Sequence, residues 1–130
     1  MPDIAVINFQ RQCPIPVNMI KKTAIRSIKA LKLEHEAITI VFAGTVRMRS
    51  INRKFLGHDY VTDVITFDHG DIIICPQVAK RFAKAYGQDV KREILLYVVH
   101  GLLHLAGYDD KKEEDIKRMR AMEKKLIGAL

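Results

Sequence analysis

The chain has 130 residues, of which 48% are hydrophobic, so it can form one ordinary domain around a buried core. Its 22 Lys and Arg residues outnumber the 15 Asp and Glu residues, and the formal charge of +7 favours a polyanionic partner. Cys13 and Cys75 are its two cysteines, which are too few and too far apart for a disulfide framework. The apolar stretches are too short for a membrane span and no signal peptide is recognisable, so we expect a cytoplasmic protein without membrane association.

The first third of the chain predicts two strands with a helix between them. Residues 4–9 form a β-branched, apolar run typical of a buried strand, and Pro14 and Pro16 mark the loop that follows. Residues 17–31 carry apolar side chains at helical spacing, and residues 38–42 alternate as a second strand. If the helix is a crossover connection, the two strands are parallel.

The middle of the chain predicts a short helix and a hairpin. We expect Thr45 to cap a helix in which Met48, Ile51 and Phe55 line one side. Two strands, over residues 64–67 and 71–75, flank the turn signal Asp68-His69-Gly70.

Three further helices complete the predicted fold. Pro76 begins one helix and Gly87 ends it, and Asp89 is expected to cap the next. The first of these helices carries Val78, Phe82 and Tyr86, and the apolar stripe of the last helix consists of Ile116, Met119, Met122 and Leu126. The sum is a single α+β domain, with a mixed sheet of about four strands, about five helices packed on it and a central helix that carries two histidines.

These two histidines stand four residues apart in a long apolar segment that begins at residue 94. His100 and His104 project from the same face of the predicted helix, because positions i and i+4 are about 40° apart around the axis. Gly107 can adopt the left-handed conformation that ends helices, so that Asp109 or Asp110 can return beside the imidazoles. Periodicity does not choose between the two aspartates.

Two histidines and an aspartate form a three-ligand set that leaves a fourth position open, as in catalytic zinc sites. A metal held in this way activates water or polarises a phosphate or carbonyl group. A pair of core histidines is the structural alternative, but two buried imidazoles aimed at one point both need partners. The spacing also matches the extended zinc protease motif, although Gly101 stands where that motif has its general-base glutamate. Proteolysis is therefore a second alternative.

Residues 100–109, His-Gly-Leu-Leu-His-Leu-Ala-Gly-Tyr-Asp, resemble the signature of the YbeY family of bacterial rRNA-maturation endoribonucleases. A second segment agrees with the family's central stretch. It comprises Ile-Asn-Arg-Lys-Phe at 51–55, Asp59, Thr-Asp-Val-Ile-Thr-Phe at 62–67 and Gly-Asp-Ile at 70–72. Two separated motifs in the right order, between residue 40 and the C-terminus, make this resemblance specific.

The resemblance implies one YbeY-like, metal-dependent endoribonuclease domain over residues 1–130, with one Zn²⁺ per chain. The family register assigns His100, His104 and Asp110 as the metal ligands. It further implies single-strand-specific cleavage of RNA in maturation of the 16S rRNA 3′ end and in ribosome quality control. The expected partners are single-stranded rRNA and the small ribosomal subunit, without a nucleotide cofactor.

The chain departs from the family pattern at three positions. Asp110 replaces the family's third histidine ligand, and Asp is itself a competent zinc ligand. Leu56 replaces an arginine implicated in catalysis, and His58 replaces a lysine two residues later. His58 is the one candidate catalytic residue, because an imidazole titrates near neutrality, or it is an exposed loop residue. The loss of the arginine makes a metal-containing, non-catalytic rRNA-binding assembly factor the first alternative function.

Basic side chains concentrate in two segments, one over residues 47–54 and one over residues 80–92. If these segments flank the metal, they form a phosphate track, and we expect Arg49, Arg53 and Lys54 to bind nucleic acid. The alternative is that they are solvated faces of amphipathic helices.

Two other polar residues precede or occupy the hairpin. Asp63 is expected either to accept a hydrogen bond from an imidazole of the metal site or to brace its own loop. His69 either reaches the metal site or lies exposed in the turn.

Overall fold

The computed structural model describes residues 1–128, and within them the chain forms five helices and four strands. The single domain predicted over residues 1–130 is therefore described as far as residue 128, and residues 129 and 130 lie outside the described residues. The elements are β1 (Asp3–Asn8), α1 (Val17–Leu31), β2 (Ala37–Phe42), α2 (Thr45–Leu56), β3 (Val64–Phe67), β4 (Asp71–Ile74), α3 (Pro76–Tyr86), α4 (Val90–Leu105) and α5 (Glu113–Ile127).

The four strands form one mixed sheet in the order β1-β2-β4-β3. β1 and β2 are parallel, as predicted, with Ile4 opposite Ile38, and β2 is also parallel to β4. β3 and β4 form the predicted antiparallel hairpin, with Phe67 opposite Asp71. β3 is consequently an edge strand, and the α+β fold is confirmed.

Each face of the sheet has its own hydrophobic core. Alternation along β2 directs Ile38 and Ile40 towards one face, where they pack with residues of α1 and α4. On the other face, Ile73 and Ile65 pack against Met48 of α2. The sheet is therefore a middle layer, with α2 on one side and the pair α1 and α4 on the other.

Helix α4 is the centre of the helical layer, because it packs against α1, α3, α5, β3 and β4. Val99 and Leu103 on α4 form a separate apolar cluster with Met119 and Leu126 on α5. Asp89 caps α4 as predicted, since its side chain accepts a hydrogen bond from the backbone N–H of Lys91 at 3.1 Å.

One sequence prediction needs correction at the level of the elements. Gly44, not Thr45, is the N-cap of α2, because the Gly44 carbonyl already accepts from the Met48 N–H at 2.9 Å. Thr45 lies within the first turn, where its hydroxyl cannot act as the cap. On α3, the side chains of Phe82 and Tyr86 are exposed, since Ala79 and Ala83 form the buried face of that helix.

Among the described residues, both cysteines are buried free thiols, as expected. Burial raises the pKa of the Cys75 thiol above its ordinary value. None of the helices in residues 1–128 combines the length and apolarity that crossing a membrane requires.

Candidate metal centre

One polar stripe interrupts the apolar surface of α4. Glu93, Tyr97, His100 and His104 follow at intervals of four, three and four residues, so they share one face of the helix. All four line a groove of about 980 Å³ whose walls come from β3, α3 and α5. Four titratable side chains of α4 thus face a single groove.

The end of α4 brings a carboxylate back to this stripe. Gly107 has a φ of +94°, a conformation that L side chains rarely adopt, and the chain reverses there. Asp110 then lies within reach of both imidazoles. Asp109 instead turns its Oδ1 to the Asp110 N–H at 2.7 Å, so the geometry favours Asp110 as the third group.

Three ligand atoms converge at one point. The Nε2 atoms of His100 and His104 are 3.1 Å apart, and Oδ2 of Asp110 lies 3.5 Å from the first and 3.7 Å from the second. A tetrahedral zinc ion with bonds near 2.0–2.1 Å separates its ligand atoms by about 3.3 Å. The donor set and its spacing therefore fit a metal ion, and this is the one such group of three in residues 1–128.

A buried carboxylate orients the first of these imidazoles. Oε2 of Glu123 lies 2.9 Å from Nδ1 of His100, and Glu123 is only 2% exposed. Because an ionised carboxylate only accepts hydrogen bonds, the proton sits on Nδ1 and the Nε2 lone pair is free for a metal. The sequence analysis missed Glu123, although its place between Met119 and Leu126 puts a charge on the buried face of α5.

Glu123 is held in its charged form by two neighbours. Burial opposes its ionisation, but hydrogen bonds from His100 and Arg120 outweigh burial and hold the pKa of Glu123 below its ordinary value. Nη1 of Arg120 lies 2.8 Å from Oε1 of Glu123, so both carboxylate oxygens have partners. A buried charge that would otherwise cost several kcal/mol is thereby compensated.

The other carboxylates of the groove have different environments. Burial raises the pKa of Glu93 above its ordinary value, and repulsion from Asp63 adds to that shift. Asp63 accepts hydrogen bonds from the backbone N–H of Val64 at 2.7 Å and from the Thr62 hydroxyl at 3.3 Å. Two roles were predicted for Asp63, and these hydrogen bonds are those of the second role, in which Asp63 braces its own loop.

Gly101 faces the sheet and not the groove. A Cβ at this position would lie 2.6 Å from Cγ2 of Ile72, a side chain that is itself fully buried on β4. The position that carries the general-base glutamate in zinc proteases therefore has no room for a side chain here. The contact between α4 and β4 therefore requires glycine at this position.

Several residues singled out in the sequence do not line the groove, namely His58, His69, Arg49, Arg53 and Lys54. The ring of His58 packs on Tyr60 with a centroid separation of 5.4 Å, and His69 pairs with Asp71 at 2.8 Å. A hydrogen bond from Arg49 holds the pKa of Asp59 below its ordinary value. Leu56 does line the groove.

Comparison with known proteins identifies the family of this chain. The sequence model of the family described as Endoribonuclease YbeY matches residues 5–130. A curated Endoribonuclease YbeY from Geobacter metallireducens is 30% identical, over 98% of this chain and 95% of its own length. Another, from Elusimicrobium minutum, is 42% identical over 63% of this chain and 66% of that protein.

The fold is also similar to a solved structure. The solution structure of TM1509 from Thermotoga maritima superposes with a TM-score of 0.65 at 25% identity, covering 95% of this chain and 86% of that one. The family match spans almost the whole chain, and the relative from Geobacter metallireducens is 30% identical over nearly the full length of both proteins. This chain therefore belongs to the endoribonuclease YbeY family, whose activity is hydrolysis of RNA.

Proposed function

We propose that the protein is a zinc-dependent, single-strand-specific endoribonuclease that acts in maturation of the 16S rRNA 3′ end and in ribosome quality control. The convergence of His100, His104 and Asp110 on one point of a groove is the observation that carries this proposal. The proposed setting is the cytoplasm, with single-stranded rRNA of the small ribosomal subunit as the substrate.

The side chains that line the groove have different roles in the proposed reaction. His100, His104 and Asp110 would hold the zinc ion, which when bound supplies Lewis acidity towards a phosphate oxygen or a water molecule. Glu123 keeps the proton of His100 on Nδ1. Arg92 and Lys124, which also line the groove, would offer positive charge to phosphates of the RNA.

The direct test is cleavage of a single-stranded RNA that spans an rRNA 3′ end, by untagged protein with its metal content measured. We expect cleavage that stops on addition of a chelator and that is absent from a His100→Ala/His104→Ala double variant. His69→Ala is the matched control, because His69 is exposed and lies outside the groove. Equal cleavage by the double variant and the wild type would refute the metal-dependent mechanism.

One observation favours a second candidate function, that of a non-catalytic rRNA-binding assembly factor that contains a metal. The side chain of Leu56 lies on the groove and is aliphatic, so this position offers no positive charge to a transition state. Full RNA affinity without cleavage by the zinc-loaded protein would favour this candidate. The protease alternative gains no support, because Gly101 is packed against Ile72.

Replacing Leu56 provides a sharp test of its role. A positioned charge-stabilising group can contribute about 10²–10³-fold to kcat. We therefore expect Leu56→Arg to raise the cleavage rate by at least about tenfold, measured under single-turnover conditions. Leu56→Gln, which is polar but neutral, is the control. An equal rise in both variants would mean that charge at this position is not the limiting factor.

A further inference from the structure

Helix α3 presents an aromatic pair to solvent. Phe82 and Tyr86 stand one turn apart, their ring centroids are 4.5 Å apart and the rings are tilted by 35°. They are 42% and 67% exposed, because the helix packs on the core through Ala79 and Ala83. Exposed aromatic rings that are already ordered by each other lose little conformational freedom when a further flat group stacks on them.

This pair borders the same groove as the metal ligands. Phe82 and Tyr86 of α3 line this groove, and Arg92 in the first turn of α4 lines it as well. A strand of RNA that runs through the groove from the three ligand atoms thus meets aromatic faces on the α3 side. Other exposed aromatic rings, such as that of Tyr60, do not line the groove.

The charge of the groove indicates which part of the RNA meets these rings. Although the whole chain carries a formal charge of +7, the groove is lined by more carboxylates than cations. The carboxylates are Asp63, Asp68, Asp89, Glu93, Asp110 and Glu123, and the cations are Arg92, Arg120 and Lys124. Of these cations, Arg120 is already paired with Glu123. Because carboxylates outnumber cations, the groove does not favour a phosphate backbone along its whole length. Neutral bases, in contrast, can stack on its aromatic wall.

We propose that Phe82 and Tyr86 form a subsite that stacks one unpaired nucleobase of the RNA substrate. This inference rests on the proposed function, since it assumes that RNA enters the groove. Nucleobases stack on aromatic side chains with little sequence preference, because each base has a π face. Arg92, which also lines the groove, adds a planar cation that suits either the base or its phosphate.

The subsite gives a physical cause for single-strand specificity. A base can lie against Tyr86 only if it is unstacked from its own neighbours. In a duplex, that rearrangement costs a few kcal/mol for unpairing and unstacking. Unpaired RNA avoids this cost, so the platform selects against duplexes without contacting any base edge.

The test measures equilibrium binding of a short unpaired RNA to the full-length, metal-loaded protein on ice, with the RNA checked on a gel for integrity afterwards. Stacking of one base contributes about 5- to 150-fold to affinity. We expect Tyr86→Leu to weaken binding at least about fivefold, and Tyr86→Phe, which keeps the ring, to bind within about twofold of the wild type. Tyr60→Leu is the matched control for an exposed aromatic residue outside the groove.

A second series places a single abasic site at each position of the RNA. At one position, removal of the base should weaken binding to the wild type but have no further effect on Tyr86→Leu. Unchanged affinity of Tyr86→Leu, or an equal loss in Tyr60→Leu, would overturn the subsite. Cleavage is measured separately, so Tyr86-dependent binding without any cleavage would refute the proposed function and leave the subsite standing.

Discussion

At the residue scale, Glu123 is the side chain with the clearest consequence for metal affinity. It fixes the proton of His100 on Nδ1 from a position that is almost inaccessible to solvent. Groups of this kind are typically worth 10–100-fold in metal affinity. We expect Glu123→Gln to raise the Kd for zinc by about 10- to 100-fold, because a neutral amide stabilises the oriented imidazole less strongly.

Competition against a chromogenic chelator measures this change directly. Glu113→Gln on the same helix is the matched control, since Glu113 is exposed and forms an ion pair with Lys117, at 4.0 Å. Equal zinc affinities of the two variants would show that Glu123 has no part in orienting the ligand.

Glu93 provides a prediction about pH. Burial raises its pKa in the folded protein, so its charged form is disfavoured there. Below about pH 4 the carboxyl is protonated in both the folded and the unfolded state, and Glu93→Gln should change the free energy of unfolding little. As the pH rises through the ordinary pKa and then the raised one, the unfolded state releases its proton first and the wild type loses stability. Glu93→Gln should therefore be more stable than the wild type near neutral pH.

Urea unfolding at acidic and neutral pH, carried out without metal, measures this difference. The exposed Glu114 provides the control variant Glu114→Gln. A stability gain for Glu93→Gln that is the same at both pH values would contradict the assignment to ionisation.

At the element scale, the contact between α4 and β4 depends on Gly101. Overpacking of a core costs about 1–3 kcal/mol, while alanine in place of glycine in a helix gains up to about 1 kcal/mol. We expect Gly101→Ala to lower the free energy of unfolding by up to about 2 kcal/mol, because its Cβ would meet Cγ2 of Ile72.

A double-mutant cycle identifies the cause. In an Ile72→Ala background the obstructing side-chain atoms are gone and the helix propensity remains. The same Gly101→Ala substitution should then be stabilising in urea unfolding. The clash would be disproved if the substitution had the same effect in both backgrounds.

The elements themselves were largely predictable from the sequence. Residues 17–31 form α1 as predicted, and Pro76 and Gly87 mark the start and the end of α3. These features were predictable because helical periodicity and the start and stop signals of a helix are local properties of the sequence. The spacing of His100 and His104 likewise placed them on one face. The exposure of Phe82 was not predictable, since an apolar stripe does not reveal what covers it.

Two features of the site depend on packing between distant segments. Glu123 meets His100 only because α5 packs back along α4, and no local pattern encodes that pairing. The choice of Asp110 over Asp109 depends on the backbone of the turn after Gly107, which the sequence restricts but does not specify. The position of Glu123 on the buried face of α5 was a signal in the sequence, but its pairing with His100 could not be predicted.

At the scale of the whole molecule, positive charge lies mainly outside the groove. Arg49 is paired with Asp59, whereas Lys54 is exposed and rests over the ring of Phe55 at 5.4 Å. If this face of α2 guides RNA, each phosphate contact on a single strand contributes about 0.7 to the slope of log affinity against log salt. We expect Lys54→Gln to reduce that slope by about 0.7, as measured by RNA binding over a salt series.

Lys21 on α1 serves as the control for this experiment, because α1 covers the opposite face of the sheet. Lys21→Gln should leave the slope unchanged. The role of Lys54 as a phosphate contact is excluded if both variants give the wild-type slope.

The docking of α5 has a consequence for how long the protein would retain a metal ion at the proposed site. The helix covers Val99 and Leu103 of α4 with its apolar side and supplies Glu123 from the same side. A local opening of this helix would therefore uncover the apolar patch and free the His100 ring to rotate in a single event. The rate of zinc release should follow the local opening of α5, as seen by amide hydrogen exchange, and not the much slower unfolding of the sheet.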